Sequence, residues 1–147
     1  MRRLTGWHGE ARGTLSGAWA NSEMYVALDR SLAETYAADT GRVLRVSFDA
    51  HNPLILRNAE SAANVIRVSG MVATDGTFHG HTERNASHRF ADWARAQGYD
   101  AVVFEPTCFE QTDDSDAAYA AWDDVAGTFG DPQMIILDPA RAILETE

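Results

Sequence analysis

Two unbroken apolar runs, Ala101-Val102-Val103-Phe104 and Met134-Ile135-Ile136-Leu137, constrain this chain most. A strand-length run without polar alternation is consistent with a central strand, buried on both faces. The second run opens at Gln133 and is closed by Asp138-Pro139. Shorter strand signals surround them: Leu4 to His8, Met24 to Leu28, Arg42 to Asp49, and Leu54-Ile55-Leu56 after the Asn52-Pro53 turn. Ser31 and Glu34 form a capping-box pattern ahead of Leu32, Ala33, Tyr36 and Ala37, which predicts a helix over 31–39. Residues 59–67 place Ala62, Ala63 and Ile66 on one helical face. Ser87 to Gln97 carries Phe90, Ala91, Trp93 and Ala94 at helical spacing, with Gly98 suited to the C′ position. Residues 70–85 read as loop, and a further helix is expected around Ala117–Val125. Several short strands with few helices, in no strict βαβ alternation, predict an α+β fold. At 147 residues one domain is expected, covering residues 1–147.

Charge is unevenly placed. The net charge of −10 arises between residues 96 and 140, where carboxylates from Asp100 to Asp138 stand without one Arg, Lys or His. The remainder is nearly balanced, and every basic residue is arginine. Nucleic-acid binding needs a positive footprint, so this acidic third disfavours it. No apolar run approaches the roughly 20 residues that span a bilayer. Gly6, Trp7, His8 and Glu10 stand where a signal peptide needs an apolar stretch, so a cytoplasmic location is expected. The lone Cys108 excludes an internal disulfide or a CxxC site, and no activating partner stands beside it. His79, His81 and His88 could suggest a metal, but the one HxH pair lacks a convincing third ligand, and no metal is expected. No phosphate-binding glycine loop is present.

The ordered combination of short motifs is more informative than any single residue. Gly6-Trp7-His8-Gly9 ends the first strand, and Met24-Tyr25-Val26 opens the next. Tyr36 follows with ten residues between the two tyrosines, then Asn52-Pro53-Leu54. Gly98-Tyr99-Asp100 leads into Ala101–Phe104, and Gln133 into Met134–Pro139. This order resembles the ADP-ribosyltransferase superfamily on its diphtheria-toxin/poly(ADP-ribose)-polymerase side. It is especially similar to small single-domain forms of phage and bacterial polyvalent proteins. The resemblance runs from about Leu4 to Ile143, except for residues 58–85 and 106–131.

The resemblance implies a split β-sheet core with a few short helices and an acidic insertion at about 105–131. It implies NAD as substrate and mono-ADP-ribosyl transfer to a macromolecule, with nicotinamide released. His8 would hydrogen-bond the adenosine ribose, and Gly9 would offer its backbone to the nicotinamide amide. Tyr25 and Tyr36 would sandwich the nicotinamide, since stacking on a flat ring is geometrically specific. Arg12 is the nearest guanidinium able to meet the pyrophosphate. Taken alone, His8 reads equally as a structural histidine and Tyr36 as core. Two departures stand out. The late-strand carboxylate of the family falls on Gln133, and Glu10 follows Gly9 where a small hydroxyl residue is usual. Glu105 or Glu110 could supply the missing charge. The rival readings are NAD hydrolysis and an inactive module whose acidic segment 105–131 meets a basic protein partner. RNA 2′-phosphate transfer is disfavoured by the absence of a basic surface.

Overall fold

Alternation along Arg42–Ala50 sends Leu44, Val46, Phe48 and Ala50 to one face, where all four are buried. In a computed structural model, which describes residues 1–10, 23–37, 41–70, 83–109 and 132–146, this segment is one strand of a mixed sheet. The strands are β1 (Arg2–Glu10), β2 (Met24–Ala27), β3 (Arg42–Ala50), β4 (Pro53–Leu56), β5 (Ala101–Phe104), β6 (Gln133–Ile136) and β7 (Ile143–Thr146). The helices are α1 (Arg30–Ala37), α2 (Ala59–Val68) and α3 (Glu83–Ala96). The sheet order is β4-β5-β6-β2-β1-β3-β7, parallel only between β4 and β5. The molecule is therefore α+β, with the two apolar runs, β5 and β6, away from the sheet edges as their composition requires.

Two cores flank the sheet. On the outer face, Val102, Phe104, Ile135 and Leu137 pack beneath Ala62 and Ile66 of α2 and Phe90, Ala91 and Ala94 of α3. On the inner face, Leu4, Val46 and Phe48 join Met24, Val26, Val103, Met134 and Ile136 in a cluster with no helical member among the described residues. The sheet buries this face by curling onto itself. Chain connectivity demands it: β3 ends at Ala50 and β4 begins at Pro53, yet they stand five places apart in the sheet. A flat sheet would separate them by about 24 Å. Three Cα steps reach about 11 Å at most.

A polar hub fastens the closure. The Asp100 carboxylate accepts the His51 N–H at 2.7 Å and the Asn52 N–H at 3.0 Å, and pairs with Arg141 at 3.3 Å. Arg141 also donates to the Asp49 carbonyl at 2.6 Å and lies over the Phe48 ring. Burial pushes the Asp100 carboxyl up, but these N–H groups and Arg141 outweigh it and hold the group below the usual carboxylate range.

Several local expectations change. The cap of α1 is Asp29, which accepts from the Ser31 N–H at 2.9 Å, so Ser31 lies inside the helix and Glu34 pairs with Arg30. α3 begins at Glu83, so residues 83–85 are helical where loop was expected, because α3 extends one turn ahead of its apolar stripe. β1 continues through Gly9 and Glu10, held by β3 along its whole length. Gly98 ends α3 at φ +89°, as its C′ placement requires. The expected helix at 117–125 lies outside the described residues.

Candidate functional site

The geometry of the site follows from an imperfect seam in the sheet. β2 pairs with β6 along its length, Met24 to Ala27 against Ile136 to Gln133. It meets β1 at one register pair, Trp7 opposite Ala27. Past that bridge the His8 ring takes a place in the seam: Nδ1 donates to the Tyr25 carbonyl oxygen at 2.8 Å. A carbonyl can only accept, so Nδ1 carries the proton, and a neutral ring then presents Nε2 as an acceptor.

Register places the other candidates. Phe104, Gln133, Ala27 and Trp7 form one lateral row, so their side chains share the outer face. Tyr25 and Gly9, two residues from Ala27 and Trp7, share it as well. Gln133, Tyr25, Trp7 and Gly9 are all partly exposed. α1 packs on this face of β1 at Gly9. A Cβ built on Gly9 would lie 1.9 Å from the Ala33 carbonyl oxygen and 3.0 Å from the Ala37 nitrogen. Glycine is thus required at this position by the approach of the helix backbone. α1 carries Tyr36 one residue before its end. Hence one face of the seam brings together Gly9, Tyr25 and Gln133 beside the Tyr36 helix, while alternation starts His8 from the other face, opposite Leu44, with its ring bonded to the Tyr25 carbonyl.

Tyr25 is tethered at both ends. Its ring packs against the helical core, and its hydroxyl donates to Glu23 Oε1 at 3.2 Å. The Glu23 side chain is 2% exposed and faces Arg95 Nη2 at 3.8 Å. Arg95, in the last turn of α3, also donates to the Leu137 carbonyl at 3.1 Å and to Asp92. Nothing in the local sequence marks Glu23, which meets Arg95 of α3 from distant sequence. Trp7 carries the Arg45 guanidinium at 6.0 Å from its ring centroid. Its buried indole N–H has no hydrogen-bond partner among the described residues.

Of the substitute carboxylates, Glu105 follows Phe104 but pairs with Arg57 at 3.6 Å, and Glu110 lies outside the described residues. Arg12, His79 and His81 lie outside them too. Cys108 is buried, its thiol donating to the Leu56 carbonyl at 3.0 Å, and burial pushes its pKa up to about 11. That is the opposite of an activated thiol. Among the described residues no group of three or more His, Cys, Asp or Glu could hold a metal ion, and no helix is long and apolar enough to cross a membrane.

No protein-family model and no curated protein matches the chain. Among solved structures, the crystal structure of an anti-CRISPR protein is similar in fold, with a TM-score of 0.50 at 12% identity. The likeness covers 99% of this chain and 96% of that one.

Proposed function

We propose that the chain is a mono-ADP-ribosyltransferase on an ADP-ribosyltransferase-like split sheet, one NAD-binding domain with an acidic insertion at about 105–131. It cleaves the nicotinamide–ribose bond of NAD and transfers ADP-ribose to a macromolecular, preferably protein, acceptor. The observation that carries the reading is the seam: His8 bonded to the Tyr25 carbonyl, with Gly9, Tyr25 and Gln133 on one partly exposed face. The His8 ring, fixed through Nδ1, is of the type that hydrogen-bonds a ribose hydroxyl. Tyr25 offers an aromatic surface whose axis is already fixed, and α1 supplies Tyr36. Loss of nicotinamide, which keeps the bonding electron pair, leaves positive charge on the ribose; an acceptor nucleophile then bonds to the anomeric carbon and releases its proton. Holding the ribose and stacking the leaving ring lower that barrier. The shared fold with an anti-CRISPR protein is compatible with a phage protein.

Gln133 favours a second reading. A neutral amide bonds a hydroxyl but stabilises a cationic transition state poorly. A slow enzyme, a hydrolase with water as acceptor, or an inactive module that uses its acidic segment against a basic partner would each retain the seam. Incubation with NAD labelled in the adenylate and a host lysate separates them. A labelled macromolecule with free nicotinamide supports transfer, and nicotinamide alone supports hydrolysis. Neither product, from a folded protein, refutes the enzyme.

A further inference from the structure

We infer that Glu23 is a positioning residue of the candidate site, its buried carboxylate setting the direction of the Tyr25 ring; the inference rests on the NAD reading above. A carboxylate 2% exposed is expensive to keep in a fold. Apolar residues replacing a buried ion pair as a whole are commonly neutral or stabilising, so burial of this carboxylate calls for a reason beyond stability. Arg95 Nη2 faces it at 3.8 Å from the last turn of α3. What the carboxylate does engage closely is the hydroxyl of the aromatic residue on the candidate face.

The geometry suits orientation. A tyrosine hydroxyl lies on the long axis of its ring, so anchoring it selects the χ1 well and aims the axis. Packing against the outer core then limits rotation about that axis. Glu23 stands two residues before Tyr25, immediately ahead of β2. Arg95 ties the carboxylate to α3 and, through the Leu137 carbonyl, to the residue after β6. The stacking surface is thus braced against α3 and the strand that carries Gln133. Glu23 touches no substrate and acts through Tyr25.

The test is NAD affinity by calorimetry on the full chain, with thermal unfolding recorded for each variant. Tyr25→Phe keeps the ring and removes the hydroxyl, and should weaken NAD binding about 2- to 10-fold. Glu23→Gln keeps the shape and removes the charge, and should weaken binding by a similar or smaller factor. If Glu23 acts through the hydroxyl, Glu23→Gln should have no further effect on affinity in the Y25F background. Equal factors in both backgrounds would overturn the inference. So would a folded Y25F with unchanged affinity, including one with a lowered melting temperature, since that is the signature of a purely structural pair. If wild type itself fails to bind NAD, the functional reading falls and the inference with it, a result visible before any variant is made.

Discussion

Replacing Gly9 by alanine tests the packing that brings α1 to the site. The new methyl carbon would sit 1.9 Å from the Ala33 carbonyl oxygen and 2.9 Å from its carbon. A carbon–oxygen contact becomes ordinary at about 3.3 Å, so the helix backbone must retreat by about 1.4 Å. No rotamer relieves the clash, because every atom met belongs to the helix backbone and β1 is held by β3 along Arg2–Glu10. Retreat opens the contact that buries Ala33 and Ala37, which are 0% and 3% exposed. Overpacking of this kind costs about 1–3 kcal/mol, and backbone-against-backbone contact belongs at the upper end. The reduced freedom of the unfolded chain returns about 0.4–1 kcal/mol, which does not change the sign. For a chain of this size a net loss of about 2 kcal/mol lowers the melting temperature by roughly 4–8 °C. Scanning calorimetry with far-ultraviolet dichroism reads both the shift and any loss of helix. A Gly9→Ala protein melting within about 1 °C of wild type would show that α1 does not rest on β1 as described.

Other perturbations read other parts of the argument. Asp100→Asn keeps one acceptor oxygen but forfeits the charge that holds two N–H groups and Arg141, and should cost about 1–3 kcal/mol by urea unfolding at pH 7. Because the Asp100 carboxyl sits below its ordinary range in the fold, its stabilisation is present above about pH 3.9 and is lost as pH falls through the lower folded value. The gap between wild type and variant should therefore close in acid, and a gap independent of pH would contradict the hub. Gln133→Glu adds charge with little change of shape, and should speed nicotinamide release about tenfold for each 1.4 kcal/mol gained at the ribose. An unchanged rate in an active protein would shift the charge-bearing role to Glu105 or Glu110. Cys108, with its pKa raised to about 11 in the fold, should resist thiol reagents at pH 8 far better than the unfolded chain. Its burial should also make stability fall as pH rises above about 9, where the unfolded thiol releases its proton first.

Much of the sheet was legible because its strands announce themselves locally. Ala101–Phe104 and Gln133–Ile136 are apolar throughout or nearly so, and β3 alternates with period two. The misreadings have local causes. At α1, two plausible cap residues stand two positions apart, and Asp29 takes the helix start from Ser31 by reaching the Ser31 N–H. β7 was not anticipated: Ile143 and Leu144 are 51% and 37% exposed, so this edge strand owes its place to pairing with β3 and not to a hydrophobic face. In the candidate site, short motifs propose His8, Gly9, Tyr25 and Gln133, but they do not give the reason for glycine. It lies in the backbone of a helix more than twenty residues away. Glu23 gave no signal at all, since a single glutamate before a strand is ordinarily solvated, whereas here it is buried and faces Arg95 of α3, distant in sequence.

The order of strands in the sheet also sets an order in time. β2 is held along its length by β6, which the ribosome delivers on the order of a hundred residues later, and β1 offers it a single bridge in the interval. An emerging chain can pair β1 with β3 as soon as both are out, whereas contacts of long sequence separation form slowly. β4 waits likewise, because its partner in the sheet is β5. Synthesis therefore delivers both sides of the seam, β1 and β2, early, and supplies β6, the strand that holds β2 along its length, late. The face that carries Tyr25 and Gln133 comes into being only once β6 has been made, and a chain cut short before β6 has no such face to offer.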